Sequence, residues 1–101
     1  MIDFKKVLTD LTGAALKFDE NGKDITLGSV CETALLAAFV DERDLSGEEK
    51  TRRALIAMRV HAGEADLTVD EISLTKRLVG KLYPPLVVLR AWEILDPASI
   101  K

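Results

Sequence analysis

The side chains in this chain that could do chemistry are His61, Cys31 and two carboxylate pairs, Glu48/Glu49 and Asp70/Glu71. A histidine works as a general base only with a positioned partner, and it holds a metal only beside further ligands at matching spacing. Neither accompanies His61 in the sequence, and its place near a helix C-terminus fits interaction with the helix dipole. Cys31 would be a nucleophile beside an activating base; without one it reads as a small buried thiol. A single cysteine also excludes an intramolecular disulfide and suits a reducing compartment. Both carboxylate pairs fall in the first turn of an expected helix, where capping and dipole complementation account for them. Asp19-Glu20-Asn21-Gly22-Lys23-Asp24 superficially has the look of a calcium loop. Such a loop needs glycine at its sixth position and a bidentate glutamate at its twelfth, and here those positions are Asp24 and Val30. The glycines form neither a phosphate loop nor a dinucleotide fingerprint. No catalytic, metal-ligating or cofactor-binding residue is therefore assigned, and no small-molecule substrate is expected.

The elements that would position any site follow from the pattern of turns and caps. Asp10-Leu11-Thr12-Gly13 reads as a turn, since Asp can bond its own downstream backbone and Gly supplies positive φ. Asn21-Gly22 is among the strongest hairpin signals. Phe4–Asp10, Ala14–Phe18 and Ile25–Leu27 are the short extended segments around these turns, so residues 1–27 are expected to form a β-hairpin or short meander. Thr26 or Ser29 then caps a helix through Cys31 to Phe39, with Val30, Ala34, Ala37 and Ala38 on one face. Asp41-Glu42-Arg43-Asp44 is a polar loop. Ser46-Gly47-Glu48-Glu49 has the capping-box form and opens a second helix to about Ala62, stopped by Gly63. Its expected core positions are Ala54, Leu55, Ala57, Met58, His61 and Ala62, with Arg52, Arg53 and Arg59 outward. Thr68-Val69-Asp70-Glu71 repeats the capping box, and Ile72, Thr75, Leu78, Val79 and Leu82 make the stripe of a third helix. Tyr83 must end it, because the residue before a proline avoids the α region. Pro84 and Pro85 open the last helix, and Asp96-Pro97 closes it.

That last helix is nearly all apolar: from Leu86 to Leu95 only Arg90 and Glu93 are charged. A surface helix normally keeps a polar face. The expected architecture is therefore a single α+β domain over residues 1–101, mainly helical, with about four helices over residues 28–96 and the last one central. Trp92 and Tyr83 are either core residues or interface anchors. If part of this helix stays uncovered, Tyr83, Leu86, Leu89 and Trp92 form a partner interface, so a protein partner or a homo-oligomer is expected.

Composition narrows the class further. With 48% apolar and 31% charged residues the 101-residue chain is an ordinary globular domain. Its longest run free of charge and proline, Thr33 to Val40, is far short of the ~20 residues of a membrane span, and its first residues lack a signal peptide. No membrane role is expected, and the cytoplasm is the expected location. The net charge of −3 hides an asymmetry: residues 1–49 carry eleven acids against five bases, and residues 50–101 nine bases against six acids. Arg52, Arg53, Arg59, Lys76, Arg77 and Lys81 are thus a candidate basic face for nucleic acid. Solvated helix faces explain them as well, because a dedicated nucleic-acid module is basic overall.

Taken together, Asp10-Leu11-Thr12-Gly13, the stretch Asp19–Gly28, Gly47-Glu48-Glu49-Lys50 and Tyr83-Pro84-Pro85-Leu86-Val87-Val88 resemble small uncharacterised proteins of tailed bacteriophages and prophages. The order of a short β part followed by helices is also similar to some phage tail-assembly chaperones. The resemblance carries over no functional residue. It implies a non-enzymatic protein acting through protein–protein interaction, with virion or tail assembly as the setting. The alternative is a phage regulatory protein that touches nucleic acid through the basic face.

Overall fold

The computed structural model describes residues 2–17, 22–64 and 66–99. Its regular elements are α1 (Leu27–Leu36), α2 (Gly47–His61), α3 (Val69–Leu82), α4 (Pro85–Leu95) and a closing 3-10 turn, Pro97–Ser99. Among the described residues there is no strand, which corrects the expected α+β class: the regular structure is helical throughout. Among the described residues of 1–27 no β-hairpin or meander forms, and with it goes the basis of the likeness to tail-assembly chaperones. The Asn21 turn signal and the acidic stretch Asp19-Glu20 lie outside the described residues.

What replaces the sheet is a closed triangle. Three antiparallel bridges pair Val7 with Thr26, Thr9 with Ala15 and Lys17 with Asp24. At the centre, the Leu8 amide donates to the Ile25 carbonyl (2.8 Å), the Ile25 amide to the Leu16 carbonyl (2.7 Å), and the Leu16 amide to the Leu8 carbonyl (2.8 Å). In an antiparallel ladder, a hydrogen-bonded residue exchanges both bonds with one partner. Here each central residue gives to one neighbour and takes from another, so the pairing closes after one step and no ladder extends. All six of these backbone groups are satisfied, as buried groups must be, and Leu8 and Ile25 enter the core. The turn at Asp10 forms as expected. One carboxylate oxygen of Asp10 accepts from the amides of Thr12 and Ala14 and from the Thr12 hydroxyl, and Gly13 takes φ +92°.

α1, not the last helix, is central. Six of its ten residues are buried, and it packs against α2, α3 and α4. Thr26 caps it, accepting from the Ser29 amide while the Ser29 hydroxyl accepts from the Thr26 amide. The helix ends at Leu36, short of Phe39: Ala37 turns extended, and the chain leaves toward a loop held by its side chains. α4 buries only Ala91 and Leu95 fully, because it lies on α3 and touches α1 along one edge. Arg90 ties it to the triangle, donating to the carbonyls of Thr9 (3.0 Å) and Asp10 (3.2 Å).

The caps follow the sequence closely. Thr68 and Glu71 complete a capping box, Tyr83 is extended at the end of α3, Gly63 stops α2 at φ +82°, and Pro84 and Pro85 open α4. Ser46 accepts from the Glu49 amide, but the Glu49 carboxylate turns to Arg52 and Arg53 instead of back to the cap. No helix among the described residues is long and apolar enough to cross a membrane.

Two glycines test this packing in opposite directions. The Gly28 amide donates to the Phe4 carbonyl at 2.8 Å, and a Cβ added there would sit 2.9 Å from that same oxygen. Gly28→Ala is expected to destabilise the fold by about 1–3 kcal/mol. At Gly80 an added Cβ would make an ordinary 3.7 Å contact with Trp92, so Gly80→Ala is expected to stabilise by about 0.5–1 kcal/mol through helix propensity. Urea denaturation of both variants reads the two signs.

Candidate functional site

The site is decided by which way α2 faces. Positions 53, 56, 57 and 60 repeat at three- and four-residue spacing and form its buried stripe: Arg53, Ile56, Ala57 and Val60. The sequence reading placed Arg53 outward and Leu55 and Met58 inward; the structure reverses both. Arg53 is 3% exposed, whereas Leu55 is 54% and Met58 66% exposed. An arginine is ordinarily solvated, but here paired carboxylates hold it inside. Its partners were readable in part, since Glu49 stands four residues before it, but Glu42 sits in the preceding loop.

Arg53 is held on three sides. Its two terminal nitrogens donate to the two oxygens of Glu42 at 2.7 and 2.8 Å, a bidentate fork, and its Nε donates to Glu49 at 3.1 Å. These hydrogen bonds raise the Arg53 pKa further, so the guanidinium stays charged despite its burial. The fork in turn holds the Glu42 carboxyl down to about 2 from its ordinary 4.5, with Lys81 adding to the effect at 3.6 Å. Lys81 also reaches Asp41 (3.0 Å) and lies over the Phe39 ring. The loop after α1 is thereby bound to both α2 and α3.

With Arg53 inward, the opposite face of α2 is left uncovered. Thr51, Leu55 and Met58 line an open groove of about 820 Å³, together with Ile56 beneath them and with Glu48, Arg52, Arg59 and Glu71 at its margins. Arg59 closes one end by bridging α2 to Glu71 of α3 at 2.8 Å, and it also meets Glu64 (3.2 Å) and Asp66 (3.9 Å). Glu71 is lowered from its ordinary pKa by the Thr68 amide and by Arg59, so the bridge is ionic near neutral pH. The floor is apolar and the margins carry both signs, which suits binding a segment of protein and supplies no reacting group.

The other expected site residues fall elsewhere. Trp92 is half-buried against α3: its Nε1 donates to the Lys76 carbonyl (3.2 Å), and the Lys76 ammonium lies 4.6 Å from its ring centre. Tyr83 and Leu86 are also half-buried, and Leu89 is 39% exposed. Of the six basic residues, five are in ion pairs: Arg52 with Glu49, Arg53 with Glu42 and Glu49, Arg59 with three acids, Lys76 with Asp96, and Lys81 with Asp41 and Glu42. Arg77 forms none among the described residues. His61 ends α2 and pairs through Nδ1 with Glu32 of α1 at 2.8 Å, exposed to solvent. Cys31 is fully buried, and burial pushes its thiol up to about 12, far from the thiolate a nucleophile requires. Among the described residues no group of three His, Cys, Asp or Glu side chains is placed to hold a metal.

Comparison with protein-family models, curated proteins and solved structures finds no match to this chain.

Removing one member of a buried ion pair strands the others. Arg53→Met is expected to cost about 3–5 kcal/mol, because it removes the fork on Glu42 and the lateral partner of Glu49, leaving only Lys81 at 3.6 Å and Arg52 at 3.3 Å to face them. The triple variant Arg53→Met, Glu42→Gln, Glu49→Gln should recover much of that loss. The sign with pH follows from Glu42: its folded pKa lies below its unfolded one, so its contribution is whole above pH 4.5 and is lost as pH falls to about 2. Urea midpoints across that range should fall steeply for the wild type and less steeply for Glu42→Gln.

Proposed function

We propose that this protein is a non-catalytic protein-binding module that works through the outer face of α2. One observation carries the reading: Leu55 and Met58 stand more than half exposed on a helix whose opposite face is already committed to α1. Large apolar side chains at neighbouring positions, over a groove rimmed by charge, are the usual make-up of a protein-docking surface. The state of the candidate reactive groups supports the non-catalytic part. Cys31 is buried and held as the thiol, and the polar partner of His61 among the described residues is the Glu32 carboxylate. The sequence resemblance to small phage proteins supports virion or tail assembly in the host cytoplasm as the setting.

The test uses photo-crosslinking inside a bacterial host that carries the gene. Benzoylphenylalanine in place of Leu55 should yield a discrete protein adduct on irradiation. The same group in place of Arg77, on α3 and outside the groove, should yield none. Adducts arising equally from both positions, or only from Arg77, would sink this assignment. Adducts to nucleic acid would favour the regulatory alternative instead.

A further inference from the structure

A second hollow opens where the chain leaves α1, against the Arg53 side of α2. It has a volume of about 410 Å³ and is walled by Leu35, Leu36, Phe39 and Leu45. Sites for small molecules enclose roughly 300–1,000 Å³ and join an apolar lining to a few placed polar groups, and this hollow has both. A ligand there would cover Leu36, which is 64% exposed. The charged lining is Glu42, Arg43, Lys50 and Arg53, one carboxylate and three cations. Glu42 is already engaged, since Arg53 forks it and Lys81 lies 3.6 Å away. Arg43 and Lys50 form no ion pair among the described residues. Arg53 keeps donors in reserve as well. Glu42 and Glu49 take one N–H from each guanidinium nitrogen, and the second N–H of each terminal nitrogen has no acceptor among the described residues. Acids close by do not restore the balance. Glu49 is held by Arg52 and Arg53, Asp41 by Lys81, and Asp44 lines a separate hollow. The C-terminal end of α1 adds only about half a negative charge, so the lining stays positive.

From this lining we infer that the hollow binds a small amphiphilic anion, with its apolar tail among Leu35, Leu36, Phe39 and Leu45 and its charged head on Arg43 and Lys50. The site is separate from the α2 groove and adds a small ligand to the protein-binding reading above. A neutral ligand of the same shape would leave Arg43 and Lys50 without a counter-charge. A cationic one would add to the excess, and like charges brought together select against that occupant.

The test titrates the full chain, by isothermal calorimetry, with octanoate, octanol and octyltrimethylammonium, each below the concentration at which it forms micelles. Octanoate should bind, octanol about tenfold more weakly or worse, and the ammonium not at all. Rising salt should weaken octanoate alone. Arg43→Gln with Lys50→Gln should weaken octanoate about tenfold and leave octanol unchanged. Ala38→Trp, which fills the hollow, should abolish octanoate binding, and Leu55→Ser, on the α2 groove, should leave it intact. All four substituted positions are exposed, and circular dichroism verifies that the variants stay folded. The inference is overturned if octanoate does not bind, if octanol or the ammonium binds as tightly, or if the double variant keeps full affinity. It is also overturned if Leu55→Ser removes binding that Ala38→Trp retains. Sedimentation supplies the remaining outcome: a dimer lost on Ala38→Trp would give the hollow to a second copy and overturn the inference too. None of these results bears on the adduct at Leu55, by which the protein-binding reading is judged.

Discussion

The structure depends on one buried guanidinium. Arg53 sits beneath the junction of α1, the 37–46 connection and α2, and it is kept there by a bidentate Glu42 and a lateral Glu49. A charge in such a place is tolerated only when paired and fully hydrogen-bonded, and here no buried side-chain polar atom among the described residues lacks a partner. Its consequence is rotational. Once Arg53 faces inward, Ile56, Ala57 and Val60 must face inward with it, and the helical repeat sends Leu55 and Met58 outward. The candidate binding face is therefore the far side of an electrostatic constraint.

The same network explains why α1 stops where it does. Ala37-Ala38-Phe39 has no intrinsic reason to leave a helix, yet Ala37 is extended. The exit lets Glu42 reach Arg53 and lets Phe39 lie under Lys81. Tertiary pairing outweighs propensity here, since propensity differences are a few tenths of a kcal/mol per residue and an unpaired buried charge costs several. At the other end of the molecule, Arg90 fastens the N-terminal triangle to α4 through two backbone carbonyls. Two arginines, from α2 and α4, thus anchor the irregular segments to the helical frame.

Recognition, the role proposed for this protein, agrees with the state of its polar groups. The groups that could react are either buried in their neutral form, as Cys31 is, or exposed with a single partner, as His61 is. The basic residues of α2 and α3 that could have formed a nucleic-acid face are largely occupied with carboxylates, so their field is spent locally. What stays open is an apolar stripe whose margins carry both signs.

The sequence by itself determined most helix boundaries, the end of α1 excepted. Caps and breakers act within a few residues, so Thr26, Ser46, Thr68, Gly63, Tyr83 and the Pro84-Pro85 pair could be read without knowing the fold. It also showed that Asp10 to Gly13 turns, for the same local reason. Three things only the tertiary structure decided. The segments around Leu8, Leu16 and Ile25 alternate weakly enough to suit a strand, but whether they extend a ladder or close a triangle depends on how three distant backbones meet. The nearly all-apolar α4 looked central, yet α1, with the small Gly28, Cys31 and Ala34 among its buried residues, lets three helices approach and takes that place. The facing of α2 turned on Glu42, eleven residues before Arg53 and outside any helical period. Local hydrogen bonds write themselves into neighbouring residues; a charge pair across a loop does not.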